Sequence, residues 1–166
     1  MEKNKLSQKK RWLPPFFKAQ YFRLLLNFYS PFLGAGIHVC SISKDFRRFE
    51  VKMKLRWYNR NFVHSHFGGS IYAMSDPFYM FILMENLGEE YIVWDKSAKI
   101  DFLKPGFSTL YAVYEIKEEE LKHIQEEVNL KNKLDKYFTC EIKSDKGEII
   151  AKVEKVLYIR KIKMRK

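Results

Sequence analysis

The chain has 166 residues, of which 46% are hydrophobic and 16% aromatic; this excludes a disordered chain and suits one domain with its own core. The net charge of +11 sits at the ends. Residues 1–23 and 151–166 each hold seven Lys/Arg and one Glu, so the middle carries −1, which argues against a dedicated nucleic-acid domain.

Residues 1–14 read as a basic tail, with Lys9, Lys10 and Arg11 beside Trp12. No secretory leader is visible, and no run of about 18 apolar residues offers a membrane span. The expectation is a soluble, cytoplasmic protein. Pro14-Pro15 then opens a helix over residues 16–29, stopped by Pro31. Phe17, Tyr21, Leu24, Leu25 and Phe28 fall at helical spacing and form one apolar face. That face packs on the core or, with the basic residues before it, makes a weak membrane-surface contact through residues 9–29. The basic ends have two readings as well: solvated tails, or a contact with anionic lipid or a phosphate-bearing ligand.

A first strand is expected over residues 37–43. Residues 48–57 give the cleanest strand signal: Phe49, Val51, Met53, Leu55 and Trp57 alternate with charged residues. From Gly69 to Met84 the only charged side chain is Asp76, which predicts a helix buried on all sides. Strands follow at 91–102, 108–116, 137–144 and 148–160, the last two joined by a turn at Ser144-Asp145-Lys146-Gly147. Residues 118–133 read as a surface helix with Leu121, Ile124 and Val128 facing inward. Its acidic start and basic end suit the helix dipole. Cys40 and Cys140 fall in strands as small buried hydrophobes, have no CxxC spacing and ask for no oxidising compartment. The whole is α+β: an antiparallel sheet wrapped around one central helix, with an added N-terminal helix.

Chemistry concentrates between Asn61 and Pro77. Gly68-Gly69 stand at the predicted start of the central helix, where free N–H groups can bind a carbonyl oxygen more strongly as it gains charge. Two glycines there permit close backbone approach or a positive φ. Asp76 is a lone carboxylate in an apolar segment, and so a candidate general base or nucleophile. The competing reading makes Asp76-Pro77 a helix restart, with the Asp as cap. His64-x-His66 suggests a metal, but tetrahedral zinc needs a third protein ligand and none is nearby, so no metal site is expected. His66 is then a hydrogen-bonding support or an ordinary loop histidine. No nucleotide or cofactor fingerprint is present, and no cofactor is expected.

These residues resemble the hotdog superfamily, and most of all the small phenylacetyl-CoA-type thioesterases and an uncharacterised bacterial subfamily known as a domain of unknown function. Asn61, seven residues before the glycine pair, Gly68-Gly69, and Asp76, seven residues after, match the thioesterase pattern in register. There are two departures. Phe67 intervenes between His66 and the glycines, and Pro77 follows the acid directly. Residues 72–79 and 91–100, with Lys104-Pro105-Gly106, resemble the uncharacterised subfamily. The likeness covers roughly residues 30–160.

The resemblance implies a single hotdog domain over residues 15–160, with a six-stranded antiparallel sheet around a long central helix and a basic tail at 161–166. It implies a homodimer or homotetramer with its site at the dimer interface. The activity implied is hydrolysis of an acyl thioester carried by coenzyme A or a carrier protein. Gly69 would polarise the carbonyl, Asp76 would activate water or attack, Asn61 would position the carbonyl or the water, and His66 would assist. Gly68, Tyr72 and Tyr79 would meet the substrate, and Met80 is better suited to core packing. The alternative is a non-catalytic acyl-binding or regulatory module on the same fold, membrane-peripheral if residues 9–29 bind lipid. No nucleic-acid partner is expected.

Overall fold

Strand β2 (Arg48–Met53) displays the rule that builds the sheet. Phe49, Val51 and Met53 are buried, while Arg48, Glu50 and Lys52 lie on the other face. The computed structural model describes residues 15–162. The basic segment expected at 1–14 and residues 163–166 lie outside the described residues.

Along the chain come α1 (Pro15–Asn27), α2 (Ser30–Ala35), β1 (Ile37–Ile42), β2, α3 (Gly68–Ala73), α4 (Phe78–Leu87), β3 (Tyr91–Phe102), β4 (Leu110–Glu115), α5 (Glu118–Lys131), β5 (Lys133–Ser144) and β6 (Ile149–Lys161). The strands form one sheet in the order β1-β2-β4-β5-β6-β3, with every neighbouring pair antiparallel. It wraps around α4, whose Phe78, Ile82 and Leu83 are fully buried. Phe78 stacks on Tyr114 of β4, ring centroids 4.7 Å apart, and tilts against Phe49 of β2. Leu121, Ile124 and Val128 of α5 face inward. Ser144 closes the β5–β6 turn by accepting the amides of Lys146 and Glu148, and Gly147 supplies the positive φ of 81°.

Apart from shifts of a few residues at element ends, the structure departs from sequence expectation, or decides between readings left open, in four places. The central helix comes in two pieces. Pro77 has no N–H and its ring crowds the preceding turn, so α3 ends at Ala73 and α4 begins at Phe78. The Tyr114 hydroxyl donates to the Met74 carbonyl left free at the break, at 2.6 Å. Second, β2 ends at Met53, short of Trp57. Buried Asn59 takes over the backbone there: its Nδ2 donates to the carbonyls of Lys54 and Ala35, and its Oδ1 accepts the Arg56 amide. Third, α1 already ends at Asn27, and Pro31 sits in the first turn of a second helix, α2.

Finally, the apolar stripe of α1 faces outward. Tyr21, Leu24, Leu25 and Phe28 are exposed, whereas Ala19 and Leu26 on the opposite side are buried. Polar side chains fix this orientation. Asn27 both donates to the Val39 carbonyl (3.1 Å) and accepts the Val39 amide (2.8 Å), and Arg23 donates to the Cys40 carbonyl. Helix α1 thereby covers the free edge of β1.

Candidate functional site

The loop leading into α3 is held by its own polar side chains. Asn61 accepts the amides of Val63 and Ser65 through Oδ1, and donates through Nδ2 to Ser65 Oγ (2.9 Å) and the His66 carbonyl (3.4 Å). In this structure the Asn61 amide is thus spent on closing the loop over residues 61–66. The His66 amide donates to the Gly106 carbonyl, and the Phe67 amide to the Asn59 carbonyl.

His66 is buried, with Nε2 lying 2.8 Å from the Ser108 carbonyl. A carbonyl only accepts, so Nε2 carries the proton and Nδ1 is left as a bare acceptor. Nδ1 is buried without a hydrogen-bond partner among the described residues. Burial lowers the imidazole pKa, against a smaller opposing effect of the Ser108 carbonyl, so the ring is neutral near pH 7.

Gly68 and Gly69 form the first turn of α3, where no intrahelical carbonyl reaches their amides. Neither has a positive φ, so of the two roles open to them close approach is the one that applies. A methyl group on Gly68 would stand 3.2 Å from the Phe102 ring. Here lies a cavity of about 280 Å³, lined among others by Asn61, His66, Gly68, Phe102 and Gly106. It joins three of the candidate site residues, Asn61, His66 and Gly68, and leaves Gly69, Asp76, Tyr72 and Tyr79 outside its lining.

Asp76 stands at the break between α3 and α4. Its Oδ1 accepts from Lys155 Nζ at 2.7 Å, and the same Nζ lies 2.9 Å from Asp95 Oδ1. The Asp76 carboxylate is therefore spent on a lysine of β6 rather than on amides of α4. The side chain of Lys155 is 4% exposed, that of Asp95 26% and that of Asp76 50%, so the cluster opens to solvent on the Asp76 side. Burial and the facing Asp76 raise the Asp95 pKa, with Lys155 opposing. Burial works to discharge Lys155, but the two carboxylates outweigh it and raise its pKa. One cation is shared by two acids.

Tyr79 lies in the core. It stacks on Phe138 and donates to the Thr139 carbonyl at 2.8 Å. Tyr72 is partly exposed on α3, and Met80 packs partly buried against the core. His64 is exposed and His66 buried, and among the described residues no group of three or more His, Cys, Asp or Glu is placed to hold a metal ion.

Sequence reading passed over Lys155, Asp95 and Asn59. A signal for the first existed: Ala151, Val153, Leu157 and Ile159 occupy the buried positions of β6, and Lys155 falls in their register.

The fold has close solved counterparts. PA5026 of Pseudomonas aeruginosa, a protein of unknown function described as a probable thioesterase, superposes with a TM-score of 0.78 over 86% of this chain and 95% of its own, at 12% identity. The Haemophilus influenzae thioesterase HI1161 gives 0.64 over 89% and 93%, at 12% identity. The PaaI protein of the E. coli phenylacetic acid degradation operon gives 0.60 over 89% and 94%, at 17% identity. At such identities the likeness establishes the hotdog fold. Among curated proteins no match is found. Residues 17–159 match the family described as a domain of unknown function, DUF4442, and the chain belongs to that family, built on the thioesterase-like hotdog fold.

Proposed function

We propose that this protein hydrolyses an acyl thioester of coenzyme A or of a carrier protein. The observation that carries the reading is Asp76: a half-exposed carboxylate, held on a buried lysine, just beyond the end of the short helix whose first turn carries the amides of Gly68 and Gly69. In the proposed reaction the thioester carbonyl oxygen faces the Gly69 amide, which stabilises the charge that develops on it. Asp76 takes a proton from water as the water oxygen adds to the carbonyl carbon. The tetrahedral adduct collapses by breaking the C–S bond, the electron pair leaves with sulfur, and the thiolate takes the proton held by Asp76, which returns to its carboxylate form. The products are a carboxylic acid and a free thiol. Asn61 and His66 act by fixing the loop that aims the glycine amides, and Tyr72 borders the acyl chain.

The same reading places the protein in the cytoplasm as a homodimer or homotetramer, with the site completed by a second copy. The edge of β3, unpaired among the described residues, supports this. The β1 edge is covered by α1, whereas β3 is the last strand at the other end of the sheet, with Trp94 exposed on it. A second reading has its own support. The ammonium of Lys155 competes for the lone pair that a base needs, which favours an acyl-binding module without turnover.

The deciding experiment follows thiol release from a panel of short, long and aromatic acyl-CoA thioesters. Wild type is expected to turn over part of the panel, and folded Asp76→Asn to lose at least about 10²-fold in kcat. Binding without turnover across the panel would replace hydrolysis by the binding reading.

A further inference from the structure

The outer face of α1 and α2 is apolar and, among the described residues, uncovered. Tyr21, Leu24, Leu25 and Phe28 follow the i, i+3, i+4, i+7 spacing of one helical stripe, and Tyr29 and Leu33 extend it onto α2. All six are about half exposed or more, up to 72% at Phe28. The helix needs none of them to stay in place. Its inner side buries Ala19 and Leu26, sets Phe22 against Phe46 and Phe81, and clamps the β1 edge through Asn27. A contiguous apolar surface left over in this way marks an interaction site.

Beside it runs a basic groove of about 350 Å³. Asn27 and Leu33 line it from the helices, and His38, Lys52, Lys54 and Arg56 from the sheet side. Leu33 belongs to both surfaces. No carboxylate lines the groove, and among the described residues Lys52, Lys54 and Arg56 have no acidic partner. Partial burial lowers the His38 pKa, and the neighbouring charges of Lys52, Arg23 and Lys54 add to the effect.

We infer that the α1–α2 face docks on an anionic phospholipid surface, with the stripe in the headgroup–acyl boundary and Lys52, Lys54 and Arg56 on lipid phosphates. Charge complementarity selects this occupant over a second copy of the chain. A two-fold contact through the same face would bring two sets of unpaired cations together. The sequence just before α1, Lys9-Lys10-Arg11-Trp12, has the same basic and aromatic chemistry. The inference does not depend on the proposed hydrolysis, whose residues lie elsewhere.

The test is co-sedimentation of the full chain with phosphatidylcholine vesicles, with and without roughly a third phosphatidylglycerol, at about 0.1 M salt. Wild type is expected to pellet with the anionic vesicles and stay in solution with the neutral ones. Lys52→Glu combined with Lys54→Glu, and separately Leu25→Ser combined with Phe28→Ser, should each weaken binding about tenfold or more. Circular dichroism confirms that both variants stay folded, since all four side chains point outward. Both should cleave soluble acyl-CoA at the wild-type rate, so vesicle binding and hydrolysis fail or succeed separately. Absence of pelleting with anionic vesicles, or pelleting indifferent to both pairs of substitutions, overturns the inference. So does a wild-type oligomer that ignores vesicles and is split by Leu25→Ser with Phe28→Ser, which would make the face a contact between copies.

Discussion

Lys155 stands where the alternation of β6 calls for an apolar side chain, and two acids from other elements meet it there. Strand periodicity predicts which face a residue takes. It does not tell which distant carboxylates will meet it, and so the cluster was out of reach of the sequence although Asp76 itself was not. Lys155→Met leaves Asp76 and Asp95 facing each other without a cation. The expected cost is about 2–3 kcal/mol in urea denaturation, below that of a fully buried pair because Asp76 is half exposed. Asp95 behaves differently. Its folded pKa is raised, so its contribution to stability is present below the ordinary value of 3.8 and is lost as pH rises through the folded value. Wild type should therefore gain stability relative to Asp95→Asn as pH falls from neutral toward 3.8, with the background from His66 cancelling between the two. The lowered pKa of His66 has the opposite sign: its contribution is present above 6.5 and is lost as pH falls through the folded value. Nitrogen-correlated NMR near pH 7 should find the proton of His66 on Nε2; a proton on Nδ1 would contradict the Ser108 contact.

Elements were legible wherever a period of two or 3.6 ran unbroken, as in β2 as far as Met53 and in α5. They were illegible where one polar side chain replaced backbone pairing. Leu55 and Trp57 continue the alternation of β2, yet Asn59 satisfies the carbonyls of Lys54 and Ala35 and turns the chain away. Asn59→Ala would leave those carbonyls and the Arg56 amide short of partners in a buried place. A loss of about 2 kcal/mol is expected by calorimetry. The α1 stripe shows the same limit in another form. Spacing identifies an apolar face, but where both sides of a helix are apolar, spacing does not say which one faces inward. Asn27 and Arg23 decide it by hydrogen bonding to β1. In the site, spacing placed the glycines at a helix start; that Asn61 spends its amide on the loop and that Tyr79 sits in the core are consequences of folding that spacing does not carry.

At the scale of the molecule, the sheet has two unlike edges. One is sealed by α1, and along the other, β3, no further strand pairs among the described residues. Removing residues 1–27 should expose the Val39 amide and carbonyl and open the first edge. Light scattering is expected to show time-dependent association of the shortened chain under conditions where the full chain keeps a constant size. A shortened chain of constant size would mean that α1 does not protect that edge. The seal also acts on stoichiometry. A strand edge adds partners one after another only while each newcomer offers a fresh edge of its own. Two copies joined through β3 would show only α1-sealed strands at either end, so growth along the hydrogen-bonding direction would end after one addition. The helix works as a chain terminator, and any assembly beyond two must be built through faces.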